Sequence, residues 1–214
     1  MTELAESPRG GRLPRSARRA QLLDSALQVF VAQGYHAAAM GDIAERAGVS
    51  KPVLYQHFPG KLELYVALLD VACDQAVADV RAALASTTDN QERVAASTEA
   101  FYTFVADPAA AFRLVFESDL TSEPEVRKRV ERVTLQCADA IAEVIADDTG
   151  LPTDVAQLLA VALVGMNHVS ARFWLQAEPN MSQRQATELI TRLAWRGIRG
   201  FPRHERPADG SSGT

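Results

Sequence analysis

Two short amphipathic segments meeting at Gly48 constrain this chain more than any other feature. From Met40 the apolar residues Ile43, Ala44 and Ala47 fall on one helical face; Gly48 interrupts the pattern, and Ser50, Lys51 and Pro52 restart it toward Leu54 and Phe58. Glycine enters the left-handed backbone region without steric cost, Ser50 suits an N-cap, and a proline in a first helical turn lacks only an N–H that the helix does not use. Helices over about 40–47 and 51–58 therefore cross closely through a tight turn. Val49 plugs the turn and Leu54 and Phe58 anchor the second helix, leaving Lys51, Pro52, Val53, Tyr55, Gln56 and His57 to project outward or sideways. On such a helix Gln56 suits a base edge, Val53 a thymine methyl, and Lys51, Tyr55 and His57 phosphates. The spacing alone also recurs in ordinary helical hairpins.

The remainder reads as helix throughout, with no strand-like alternation and no repeat. Residues 1–13, rich in Gly, Pro and Arg, form a flexible basic arm, and a helix over about 15–33 carries the stripe Leu23, Leu27, Phe30 and stops at Gly34. Pro59-Gly60 separates the head, 14–60, from a body over 61–201 with helices at about 61–84, 90–106, 108–117, 124–146, 153–177 and 182–200. Residues 202–214 form a disordered tail. The segment 153–177 is apolar nearly all round (Val155, Leu158, Val161, Met166, Val169, Phe173), so it must be buried on several sides.

Net charge is −5, which by itself disfavours nucleic acid. The distribution matters more: up to Lys61 there are eight basic and five acidic residues, +3, and beyond it fourteen basic and twenty-two acidic, −8. Phosphate attraction is needed only where the duplex lies. No stretch of about 18 uninterrupted apolar residues exists, so no membrane span is expected, and the N-terminus lacks the apolar core of a secretory signal. With only Cys73 and Cys137, far apart in sequence, neither a disulfide framework nor a zinc site is expected, and the chain reads as cytoplasmic.

Residues 15–65 resemble the DNA-binding domain of the TetR family of bacterial regulators. The resemblance lies in Gly34-Tyr35, Ile43-Ala44, Ala47-Gly48-Val49-Ser50, Leu54 to Phe58, Lys61 and Leu64. It implies an all-α, nine-helix fold, with a three-helix helix-turn-helix head and a helical-bundle body for ligand binding and dimerisation. It places Tyr55, His57 and Lys61 on phosphates, and Lys51, Pro52, Val53 and Gln56, beside Ser50, at or near bases; Arg15 and Arg18 add backbone charge from the first helix. The family usually has Thr or Ser before the second helix; here Ala37-Ala38-Ala39 forfeits a cap of about 1 kcal/mol. A homodimer joined by the last two long helices is implied, presenting two reading helices to successive major grooves of a palindromic double-stranded DNA operator. Ala160, Ala162, Gly165 and Ala171 would permit close helix approach.

Further segments, Lys61 to Tyr65, Thr87 to Asn90, Phe112 to Glu117, Glu123 to Val126 and Val164-Gly165-Met166, are similar to actinobacterial TetR-type regulators of fatty-acid synthesis, which respond to long-chain acyl-CoA. That similarity implies a long apolar effector cavity with a basic entrance, for which Arg113 and Arg127-Lys128-Arg129 are eligible. Its expected lining is Phe101, Phe104, Val105, Phe112 and Phe116 from the middle helices, and Met166, Asn167, Phe173 and Trp174 from 153–177. For any single aromatic here, plain core packing is the commoner fate. An efflux or stress regulator binding another hydrophobic small molecule would have the same pattern. A helical enzyme is the different-class rival: Asp147-Asp148 has no second acidic cluster, the four histidines lack metal spacing, and no Ser/His/Asp or Cys/His set can be placed. No catalytic residue, metal or cofactor is expected.

Overall fold

The computed structural model describes residues 13–106, 119–176 and 181–198, and among these it is helical with no strand. The helices are α1 (Arg15–Ala37), α2 (Met40–Arg46), α3 (Lys51–His57), α4 (Lys61–Ala85), α5 (Asn90–Ala106), α6 (Pro124–Thr149), α7 (Thr153–Gln176) and α8 (Gln183–Ile198), with a 3-10 turn at Asp119–Ser122. The helix expected at 108–117, the tail, and all of the arm except Leu13 lie outside the described residues. The chain divides into two compact units, Met1–Ala67 and Leu68–Thr214.

In the first unit glycines set the corners. Gly34 (φ 75°) breaks α1 three residues before the stretch ends, and the Ala38 N–H returns to the Gly34 carbonyl at 3.2 Å. Gly48 (φ 63°) makes the turn between α2 and α3, closed by the Val49 N–H on the Ala44 carbonyl at 3.0 Å. Leu22, Ala26 and Phe30 of α1 are buried, as are Ile43 and Ala44 of α2, Leu54 of α3 and Phe58 just after it. This core extends into α4: Leu64 and Tyr65 are fully buried, and the Tyr65 ring stands edge-on to Phe30 and Tyr35 at 5.4 and 5.1 Å. This first unit runs to Ala67.

Neither short helix has a side-chain cap. Ala39 at the head of α2 cannot supply one. Ser50 occupies the cap position of α3, but its hydroxyl makes no capping bond, contrary to expectation. Pro52 has no N–H to offer, and the Val53 N–H goes to the Ser50 backbone carbonyl at 3.0 Å.

In the second unit α6 and α7, joined through Gly150 (φ 68°), pack along one another. Ala138, Ala142, Ala156 and Ala160 are buried at that contact, where side chains this small allow close axes. Tyr102 and Val105 of α5 pack with Ala171 of α7 and Ala186 of α8. Asp89 caps α5 by accepting the Glu92 N–H at 2.9 Å, and Ser182 and Gln185 form a reciprocal cap on α8. Asp70 of α4 is paired with Arg129 and Arg132 of α6 at 3.1 and 2.6 Å.

One expectation fails for the chain taken singly. Helix α7 is not covered on several sides: Leu158, Val169 and Phe173 are each 70% exposed. The small residues also divide, Ala160 and Ala171 packing inward and Ala162 facing out. Among the described helices, α7 over Thr153–Leu175 is long and apolar enough to cross a membrane. A core helix of a helical protein passes the same test.

Candidate nucleic-acid interface and ligand cavity

Anchored by Leu54, α3 turns a polar face outward. Lys51, Pro52, Tyr55 and Gln56 are exposed, Tyr55 at 46%, and Val53 and His57 are half-buried. Val53, Gln56 and His57 share a groove with Leu13, Arg15 and Arg18 at the start of α1. Base-reading and phosphate-binding residue types thus lie side by side. The Lys51 stem lies over Gly41, where a Cβ would come within 2.9 Å of Lys51 Cε. Partial burial lowers the pKa of His57 below its ordinary value, and the cations Arg15, Arg19 and Arg18 push it the same way. Both causes disfavour the charged imidazolium.

The scaffold behind α3 is tied by bonds the sequence did not advertise. Gln21 donates to the Ala47 carbonyl at 2.9 Å, pinning α1 to the end of α2, and Arg18 donates to Gln21 Oε1 at 2.7 Å. The Arg19 guanidinium lies 4.4 Å over the Phe58 ring. Lys61 differs most from expectation. Its ammonium donates to the carbonyls of Tyr35, His36 and Ala38 at 2.8, 3.2 and 3.0 Å and sits 4.5 Å from the Tyr35 ring centroid. All three N–H bonds are spent inside the head, because the break at Gly34 leaves these carbonyls without helical partners. With no DNA present, Lys61 braces this corner of the head.

The second unit holds two adjoining chambers, about 160 and 70 Å³ in volume. The larger lies among α5, α6, α7 and α8 and carries Asn90, Arg93, Asp148 and Thr149 on its wall. Arg93 and Asp148 form an ion pair there at 2.8 Å. The smaller chamber is walled mainly by apolar groups, including Val80, Phe101, Phe104, Val133 and the thiols of Cys73 and Cys137. Burial pushes both thiols up to about 11, which keeps them protonated. His168 lies on the same wall, its pKa lowered by burial and by Arg172.

Residues 22–68 match the family model described as bacterial regulatory proteins, tetR family. The HTH-type transcriptional activator FasR of Mycolicibacterium smegmatis is 47% identical over 194 residues, covering 91% of this chain and 89% of FasR. The chain belongs to the TetR family. It is an HTH-type transcriptional regulator, as are its relatives, not an enzyme. A TetR-like regulator from Rhodococcus sp. RHA1 superposes with TM-score 0.65 at 28% identity, covering 88% of this chain and all of its own. FadR from Bacillus subtilis, solved with stearoyl-CoA, gives TM-score 0.65 at 16% identity, covering 82% of this chain and 96% of its own. The fatty acid degradation regulator FadR from Bacillus halodurans gives 0.69 at 20%, covering 85% and 96%. At such identities these two FadR structures speak to the fold.

For this TetR-family chain, the residues expected in the effector cavity scatter. Phe101, Phe104 and Asn167 line the chambers. Val105 does not: it is fully buried in the core with Tyr102, because α5 turns that face to α7 and α8. Trp174 packs on the same cluster and donates its indole N–H to the Met181 carbonyl at 3.0 Å. Met166 lines neither chamber, and Phe173 is among the exposed residues of α7. Phe112 and Phe116 lie outside the described residues. Arg93, Ser97, Ile141 and Trp195 were missed as lining. For Arg93 a signal existed: a cation three residues past Asn90, in the first turn of a helix where cations are disfavoured, implies an anionic partner elsewhere.

Proposed function

We propose that the regulator acts as a homodimer on a palindromic operator, and that a long-chain acyl-CoA occupies the body chambers and alters its hold on DNA. In this reading Tyr55, His57, Lys51, Arg15 and Arg18 meet phosphates, with the unbonded Ser50 hydroxyl available beside them. Gln56 and Val53 meet base edges, next to Pro52. The effector half rests on one observation: two adjoining, largely apolar chambers inside the second unit, with an Arg93–Asp148 pair on the wall of the larger. Phe101 and Phe104 then contact the acyl chain. That a neighbour of the same fold was solved with stearoyl-CoA supports the choice of ligand class.

Dimerisation is supported by the uncovered stripe of α7. Val155, Leu158, Ala162, Val169 and Phe173 follow at steps of three, four, seven and four residues and so share one helical face, and α8 adds exposed Leu189 and Leu193. A contiguous apolar face of this kind is costly in water and self-complementary about a two-fold axis. The test is a band-shift on the DNA upstream of the protein's own coding sequence, with and without palmitoyl-CoA. A shift that palmitoyl-CoA changes is expected. Insensitivity to palmitoyl-CoA would overturn the effector reading, and operator half-sites bound by a monomer would overturn the dimer.

A further inference from the structure

Asn167 stands where the two chambers meet. Three residues, Ser97, Ile141 and Asn167, line both. The orientation of the Asn167 amide follows from one bond: Nδ2 donates to the Leu163 carbonyl at 3.1 Å, and a carbonyl can only accept, so the nitrogen faces the helix backbone. Oδ1 is turned away from that carbonyl, on a residue that lines both chambers. It is buried and accepts no hydrogen bond from the described residues. Nearby hydroxyls are committed: Ser97 donates to the Val94 carbonyl at 3.3 Å, and Ser170 donates to the Met166 carbonyl at 2.6 Å. A buried amide oxygen without a donor is unfavourable, so an occupant that brings an N–H or O–H to this point is favoured over one that cannot.

The chambers on either side differ in chemistry. One has the Arg93–Asp148 pair with Asn90 and Thr149; the other is walled by Val80, Phe101, Phe104 and Val133. At about 160 and 70 Å³, neither reaches the ~300 Å³ at which pockets for drug-sized ligands begin. An occupant that spans both chambers passes Asn167, one of the three residues common to their walls. We propose that Asn167 Oδ1 is a specificity-determining acceptor for an amphiphile carrying a hydrogen-bond donor between its apolar tail and its polar head. This rests on the acyl-effector reading and sharpens it. An acyl-CoA satisfies Asn167 through an amide N–H of its pantetheine arm, whereas a bare ester sets acceptor against acceptor.

The matched probes are N-methylpalmitamide and methyl palmitate, which differ by N–H against O at one atom, measured with palmitoyl-CoA by displacement of a fluorescent fatty-acid analogue. The wild-type protein is expected to prefer the amide by roughly tenfold, the size that one buried unpaired acceptor carries. Asn167→Leu, checked for folding by circular dichroism, is expected to abolish that preference and to bind palmitoyl-CoA roughly tenfold more weakly. Equal binding of amide and ester by the wild type, or an undiminished preference in folded Asn167→Leu, overturns the inference while leaving the effector reading intact. Should Asn167→Leu not fold, the wild-type comparison decides alone. Failure of all three probes to displace the analogue overturns the effector reading, and the inference with it.

Discussion

Replacing Lys61 with methionine separates two roles that a lysine at this place could play. Methionine keeps an unbranched stem of similar reach and removes the ammonium. Three carbonyl bonds at 2.8 to 3.2 Å and the contact with the Tyr35 ring are lost together. The His36 carbonyl lies at an exposed bond and regains water, so most of the cost falls on Tyr35 and Ala38, whose bonds are partly buried. Hydrogen bonds to a charged donor contribute about 1.5–3 kcal/mol and an exposed cation–π contact about 0.5–1 kcal/mol. The ammonium also loses water to make these bonds, and the terms are not additive, so a net loss of about 2 kcal/mol is expected from the first unit. Urea unfolding of both proteins, followed by hydrogen exchange at Tyr35 to Ala38, reads that loss. In parallel, operator affinity is measured against salt, where each phosphate contact contributes about 0.9 to the logarithmic slope. The brace reading expects lower stability with an unchanged slope. Unchanged stability with the slope reduced by about one per head would refute it and restore Lys61 to the phosphates.

Tyr55→Ala should weaken operator binding across all sequences, whereas Gln56→Ala should relax preference at one base pair; a uniform loss from Gln56→Ala in a binding-site selection would show its role misassigned. Leu158→Glu, on the exposed stripe of α7, should shift the protein from dimer to monomer in sedimentation without unfolding it, and an unchanged dimer would place the interface elsewhere. His57 has a pKa below its ordinary value, so at acid pH the unfolded chain takes up a proton before the folded head does; stability should fall as pH drops through about 6.5 toward the folded value and level off below it. DNA phosphate beside His57 reverses that bias, so operator affinity should rise over the same acid range, a trend that His57→Gln should flatten in fluorescence anisotropy. Cys73 and Cys137, with pKa values of about 11, should alkylate slowly with iodoacetamide at pH 8, and more slowly still with palmitoyl-CoA bound; rapid labelling of either would contradict their placement on the smaller chamber's wall.

Sequence alone determined what depends on near neighbours. Gly34 and Gly48 mark breaks because positive φ is local, and the face of α3 follows from the position of Leu54 between Val53 and Tyr55. Tertiary structure decided whatever joins distant residues. Lys61 became a brace because the carbonyls that draw it are 23 to 26 positions away. Val105 and Phe104 are neighbours in sequence, and both are apolar, yet one is core and the other cavity wall. Which of them meets empty space is set by the helices packed opposite, and hydrophobicity carries no record of that. The same holds for α7: its all-round apolarity was plain in the sequence, but only packing assigned Ala160 and Ala171 to the protomer's own core and left Leu158 and Phe173 exposed.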